Sequence, residues 1–182
     1  VNNLIVSSYS QAKQDLHASI VCNKRDGFFL DLGCNDPKFH NNSYALEIDL
    51  NWHGILIDIQ SNMVNSCMNT RSTLNKYVVA DLTTTNIADI LVETKCPYKI
   101  DYISFDVDDA TETVLNNFPF DNYSFNFMTF EHDSYRLGPH LKELSTSILS
   151  SYDYVLYKED VPADRGEIFE DWWICPKLLE NL

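Results

Sequence analysis

Seven short runs rich in β-branched and aromatic residues recur along this chain, at Phe28–Leu32, Gly54–Ile59, Lys76–Asp81, Ile100–Val107, Phe125–Glu131, Tyr152–Tyr157 and Asp171–Cys175. Runs of that length and composition read as strands. Helix-like stretches alternate with them at Asn42–Asn51, Asn62–Asn69, Asn86–Thr94, Ala110–Phe118 and Gly138–Ser150. Parallel strands need crossover connections of this kind. The alternation therefore predicts an α/β fold, a mostly parallel sheet with helices on both faces. The last two runs, joined by a Pro162–Gly166 loop, read as an antiparallel hairpin added to that sheet.

At 182 residues the chain is the size of one domain. Residues 1–26 read as an N-terminal cap segment and 27–182 as the core. Ala45, Ile48 and Trp52 keep a helical spacing, and Ile87, Ile90 and Leu91 make a clearer apolar stripe. Asp109, with Glu112 three residues on, has the form of a helix N-cap. Trp172 and Trp173 read as core packing, and Phe118, Phe120, Tyr123, Phe125 and Phe127 as a turn leading into a buried strand.

Several strand candidates end in an acid: Asp31, Asp58, Asp81, Asp106 and Glu131. Ligands of open α/β sheets bind beyond the carboxyl ends of the strands, at the point where strand order reverses. Any one of these acids can be a cap, but five at one edge form a pattern. Gly33, just after Asp31, admits close approach of a ligand to the backbone. Asp58 can accept both hydroxyls of a ribose, and Asp81 stands where an acid commonly meets an adenine amino group.

An adenosine-containing ligand suits that set. A diphosphate does not, since repeated glycines and a P-loop are missing and Asp36 adds negative charge. A cationic, phosphate-free adenosine compound fits acidic walls, and S-adenosylmethionine is that compound. Net charge points the same way: 27 acidic against 13 basic residues give −14, and no Lys/Arg cluster exceeds Lys24-Arg25. A nucleic-acid partner is not expected. No apolar run approaches a membrane span. The five cysteines (22, 34, 67, 96, 175) contain no CxxC, so reduced thiols and a cytoplasmic setting are expected. Cys34, inside the cofactor loop, is either reactive or a small buried filler.

The run "GFFLDLGCNDPKFHNNSYALEIDLNWHGILIDIQ" (27–60) resembles the opening of FkbM-type methyltransferases: D-x-G-x-N-D-G, then S-x-x-L-E, then W-x-G-x-x-I-E. "IDYISFDVDDATETVLNNFPF" (100–120) is similar to that family's I-D-x-L-x-x-D-V-E-G-x-E-x-x-V-L. "SYSQAKQD" (8–15) and "FEDWWICP" (169–176) are similar to its flanking motifs. The resemblance implies a Rossmann-like, seven-stranded class I methyltransferase that uses S-adenosylmethionine to methylate hydroxyl oxygens on sugars or other small molecules. It would place Asp31, Gly33 and Asn35 along the methionine part, Asp58 with Ile59 at the ribose, and Asp81 with Leu82 near the adenine. Asp106 and Asp108 would face the methyl group or the acceptor, with Gln11, Gln14 and Asp15 closing the site. Three positions depart from the pattern: Pro37 replaces a glycine, Asp58 a glutamate, and Asp108-Asp109 a Glu-Gly pair.

An alcohol acceptor must lose its proton, which calls for a base or a metal. His132, beside Glu131 at a strand end, is the base candidate; the alternative is a histidine satisfied by Asp133. Asp106, Glu131 and His132 are a possible divalent-metal set across two strand ends. A second reading of the whole chain is a methyltransferase-like binding or scaffold module that has lost turnover, motivated by Pro37 and Asp109.

Overall fold

A computed structural model describes residues 4–181. Helix α1 (Gln14–Cys22) precedes β1 (Phe28–Leu32), α2 (Tyr44–Leu50), β2 (His53–Asp58), α3 (Ser61–Thr70), β3 (Lys76–Val79), α4 (Ile87–Glu93) and β4 (Lys99–Phe105). Then follow α5 (Thr111–Asn117), β5 (Ser124–Glu131), α6 (Ser134–Leu137), α7 (His140–Ser151), β6 (Val155–Pro162) and β7 (Ile168–Ile174). The seven strands form one sheet in the order β3-β2-β1-β4-β5-β7-β6. Its first five members are parallel, while β7 runs antiparallel to both β5 and β6. The expected sheet and its antiparallel hairpin are thus both present.

Side-chain alternation along the strands makes two cores. On one face Leu30, Leu32, Ile55, Ile57, Ile103 and Phe105 pack with Ile87, Ile90 and Leu91 of α4 and Val114 and Leu115 of α5. On the other, Phe29, Leu56, Tyr102, Phe127 and Trp172 meet Ala18 and Val21 of α1, Ala45, Leu46 and Leu50 of α2, and Cys67 of α3. Trp52, Trp172 and Trp173 are fully buried. Burying a large apolar side chain contributes about 1.5–3 kcal/mol. Among the described residues no helix is long and apolar enough to cross a membrane.

Several local readings are corrected. Helix α1 carries no apolar stripe for a sequence to display, because its buried side is mostly polar or small: Gln14, Asp15, Ala18, Ser19 and Val21. Ile48 is 48% exposed, since α2 turns Ala45, Leu46 and Leu50 inward instead. Asp109 caps nothing: it lies within a 3-10 turn, Asp108–Ala110, and α5 starts after Ala110 without a side-chain cap. Strand β6 begins three residues later than Tyr152 and continues to Pro162, with irregular pairing to β7. Strand β3 stops at Val79, which leaves Asp81 in the following loop.

Candidate functional site

Strand order reverses between β1 and β4: the chain builds outward from β1 through β2 to β3, then returns to lay β4 on its other side. The loops leaving these strands diverge there and open a cleft. Its cavity, about 340 Å³, is lined by Gly33 and Asn35 after β1, Ile57 to Gln60 at the end of β2, Ala80 to Thr83 after β3, and Asp106 to Ala110 after β4. Of the residues singled out from the sequence, Gly33, Asn35, Asp58, Ile59, Asp81, Leu82, Asp106 and Asp108 meet on this cavity.

Gly33 has φ +84°, and a β-carbon there would stand 1.6 Å from the Asp106 carbonyl oxygen. Only glycine fits, on both conformational and steric grounds. The backbone amides of Gly33 and Cys34 donate to the Ile57 carbonyl at 2.9 and 3.0 Å, and the Asp106 amide donates to the Leu32 carbonyl at 3.0 Å. The three strand ends are thereby stitched into one rim. Asp58 adds a side-chain staple, one oxygen accepting the Asn35 amide (2.9 Å) and the other the Gln60 amide (2.8 Å). The turn that holds Pro37 is closed by Asp36, whose Oδ1 accepts the Lys38 and Phe39 amides. Asp81 accepts from the Thr83 amide and hydroxyl, which hold its carboxyl below the usual carboxylate range.

Asp31 does not line the cavity. It lies buried beneath the Gly33 turn and takes the Ser43 hydroxyl at 2.5 Å. Burial raises its pKa, opposed by that hydrogen bond and by the Arg71 charge. Arg71 had no signal in the sequence. It is buried between the Phe29 and Tyr44 rings, paired with Glu47 at 2.9 Å, and donates to Asn41 (3.1 Å) and Ser43 (3.1 Å). Asn41 in turn donates to the carbonyls of Cys34 and Asp36. Ser43 and Glu47, the polar members of the S-x-x-L-E motif, are thus the supports of the loop above them.

Beyond Asp106 the rim continues into an acidic wall behind the cavity. Asp106 and Glu131 share a hydrogen bond, and burial pushes both carboxyls up, so the pair holds a proton between them. Glu170, buried and bonded by Trp172 Nε1 at 2.6 Å, is pushed up to about 8, mainly by burial. Gln14 of α1 reaches Glu170, whereas Asp15 folds its own segment by accepting from Ser8, Ser10 and the Tyr9 amide. Arg136 of α6 pairs with Asp133 at 2.5 Å and lies 3.8 Å from Asp108.

His132 is fully buried and is not among the residues lining the cavity. Its Nδ1 accepts the Ser134 amide at 3.1 Å, and its Nε2 faces Asp171 at 3.5 Å rather than Asp133. Asp106 and Glu131 meet, but His132 turns to Ser134 and Asp171 and does not join them. Among the described residues no group of three His, Cys, Asp or Glu is arranged to hold a metal ion.

No protein-family model matches the sequence, and no curated protein matches it. Solved structures do. An O-methyltransferase from Bacillus cereus, in complex with S-adenosylhomocysteine, is similar over 95% of this chain and 85% of its own, with a TM-score of 0.61 at 13% identity. A Clostridium thermocellum protein assigned as an rRNA methylase is similar over 93% and 97%, with a TM-score of 0.60 at 11% identity. Fibrillarin from Aeropyrum pernix, with natively bound S-adenosylmethionine, is similar over 83% and 67%, with a TM-score of 0.57 at 10% identity. The chain has the Rossmann-like fold of these methyltransferases.

Proposed function

We propose that this protein is an S-adenosylmethionine-dependent methyltransferase acting on a hydroxyl of a sugar or other small molecule. The observation that carries this reading is the cavity at the β1/β4 reversal, where Gly33, Asp58, Asp81 and Asp106 meet. It fits the cofactor in volume and in chemistry. A cavity of about 340 Å³ is of ligand-binding size. Its charged lining residues are all acids, which favour a sulfonium and an ammonium and disfavour phosphate. Each proposed contact has a geometric basis. Gly33 leaves backbone open to the methionine part, with Asn35 beside it and Asp31 as support below. Asp58 retains acceptor capacity for ribose hydroxyls beyond its two backbone bonds. Asp81 and Leu82 border the adenine end.

When bound, the cofactor supplies an electrophilic methyl group for in-line displacement. The chain's part is to position an acceptor and take its proton. Asp106 lines the cavity, and burial pushes its carboxyl up to about 7, the range a base needs at neutral pH. Asp108, exposed at the mouth, is placed to contact the acceptor. On this reading the proton goes to Asp106, and His132 packs behind the sheet end as a structural residue.

The similar structures include both an O-methyltransferase and a protein assigned as an rRNA methylase. The net charge of −14 and the absence of lysine or arginine from the cavity lining favour an acceptor without a phosphate backbone. The FkbM-type resemblance supports a sugar or natural-product hydroxyl. Calorimetric titration with S-adenosylmethionine and S-adenosylhomocysteine tests the cofactor site; micromolar binding is expected. A well-folded sample that binds neither would overturn the reading. Transfer of labelled methyl to hydroxyl acceptors then tests the chemistry.

A further inference from the structure

Two of the five cysteines face each other directly behind the cofactor loop. Cys34 sits between the cavity-lining residues Gly33 and Asn35, and Cys67 lies on α3. Their sulfurs are 3.9 Å apart, both side chains are buried, and Cys67 Sγ also donates to the Asn35 carbonyl at 3.5 Å. We propose that Cys34 and Cys67 are a thiol pair that a small peroxide closes into a disulfide, and that closure deforms the Gly33–Asn35 turn.

The surroundings separate the roles of the two sulfurs. Cys67 lies one helical turn before Arg71, and its thiol points at the Cys34 sulfur and the Asn35 carbonyl. The contact between the two sulfurs and the Arg71 charge hold the Cys67 thiol below its usual range, while the same contact and burial push Cys34 up. Burial raises Cys22 and pushes Cys96 up to about 12. With the Arg71 cation one helical turn away, its amide bonded to the Cys67 carbonyl at 2.8 Å, Cys67 is the attacking sulfur. The Cys67 thiol gives up its proton as its sulfur takes one hydroxyl of hydrogen peroxide; the O–O bond breaks, an S–O bond forms, and the departing hydroxide takes that proton and leaves as water, with sulfur as the two-electron donor. The Cys34 sulfur then attacks the sulfenic sulfur. The S–S bond forms, the S–O bond breaks, and the departing hydroxide takes the Cys34 proton as a second water.

Closing the bond brings the sulfurs from 3.9 Å to about 2.05 Å. The movement cannot be absorbed at Gly33, which is already wedged against the Asp106 carbonyl. It falls on Cys34 and Asn35, and so on the Asn35–Asp58 bond that holds the rim. Cofactor affinity should fall about tenfold, as expected when a hydrogen bond to a charged group is lost. This coupling rests on the cofactor site proposed above; disulfide formation does not.

The test is treatment of the full chain with hydrogen peroxide, trapping of remaining thiols with N-ethylmaleimide, and peptide mapping with and without prior reduction. A Cys34–Cys67 cross-linked peptide is expected, lacking two hydrogens, reversed by dithiothreitol, with Cys22, Cys96 and Cys175 still alkylated. Recovery of Cys34 and Cys67 as free thiols, or as separate sulfinic acids, overturns the site. Titration of the oxidised chain with S-adenosylhomocysteine reads the coupling, and unchanged affinity in a cross-linked sample overturns that part. If the reduced chain binds no cofactor, the functional reading fails while the mapping still decides the thiol pair.

Discussion

Asp58 and Asn35 are joined by a 2.9 Å hydrogen bond from the Asn35 backbone amide to one carboxylate oxygen, so the end of β2 holds the turn that leaves β1. The same carboxylate is the candidate ribose acceptor, which couples the shape of the rim to cofactor binding. Asp58→Ala leaves the Asn35 and Gln60 amides without their acceptor and should weaken S-adenosylhomocysteine binding at least tenfold. It should also destabilise the chain by about 1–3 kcal/mol, the cost of stranding such groups. Asp58→Asn, which keeps one acceptor oxygen, should lose less of both. Calorimetry and urea melts on the two variants check this, and wild-type affinity in Asp58→Ala would remove Asp58 from the ribose.

Gly33 faces the carbonyl of Asp106, whose oxygen would stand 1.6 Å from any β-carbon at position 33. That contact is with backbone, which has no rotamer to yield. Gly33→Ala must either push β1 and β4 apart or abandon the φ of +84°. A loss of several kcal/mol of stability is expected, of the kind seen when overpacking adds to an incompatible backbone. Circular dichroism melts provide the measurement. A Gly33→Ala chain with unchanged melting temperature and cofactor affinity would contradict the wedge.

The parallel sheet and its hairpin were legible because each strand is a short apolar run and each crossover a helix of ordinary length. The rim was legible at Gly33, Asp58 and Asp106 because a ligand edge needs a glycine and acids at strand ends. What escaped the sequence were contacts between distant polar residues. Arg71 reads as an ordinary helix-end arginine until α2 brings Glu47 and Ser43 to it. Helix α1 escaped because Gln14, Asp15 and Ser19 fill its buried side, an arrangement that hydrophobic periodicity cannot register. His132 carried a plausible motif, but burial turns its ring nitrogens to Ser134 and Asp171.

Asp106 and Glu131 give the chain an unusual dependence on pH. Both carboxyls are raised above the ordinary carboxyl range of about 4, so the folded state binds more protons than the unfolded chain. The stability they contribute is complete at acidic pH. It is lost as pH rises through about 7 for Asp106 and about 10 for Glu131. Melting temperature should therefore decline from pH 5 toward pH 9, across the range in which Asp106 loses its proton. Glu131→Gln keeps a hydrogen-bonding group beside Asp106 but cannot ionise, and should flatten that decline. The same variant should leave the pH at which methyl transfer rises close to the wild-type value, because Glu131 is neutral while Asp106 titrates and the Gln amide can donate to Asp106 in its place. An identical slope in wild type and Glu131→Gln would mean the pair is not what titrates.

Arg71 supports the cofactor loop from below, and its removal should separate that support from simple packing. Arg71→Met can fill the space between Phe29 and Tyr44, but it removes the cation paired with Glu47, leaving only the Ser72 amide and Asn75 on that carboxylate, and takes one donor each from Asn41 and Ser43. Breaking a buried pair from one side costs about 3–5 kcal/mol when the remaining charge is left uncompensated, and the Ser72 and Asn75 donors to Glu47 place the cost here at the low end. Adding Glu47→Gln neutralises that charge and should return a large part of the loss, so the two changes together cost less than their sum. Cofactor affinity should not return with the stability. Asn41 positions the carbonyls of Cys34 and Asp36, and the Arg71 guanidinium holds its Oδ1 together with the Ser43 and Tyr44 amides. Urea denaturation and calorimetry on the single and double variants read the two effects separately. Recovery of stability without affinity identifies Arg71 as a positioning residue for the loop, and recovery of both reduces it to a core ion pair.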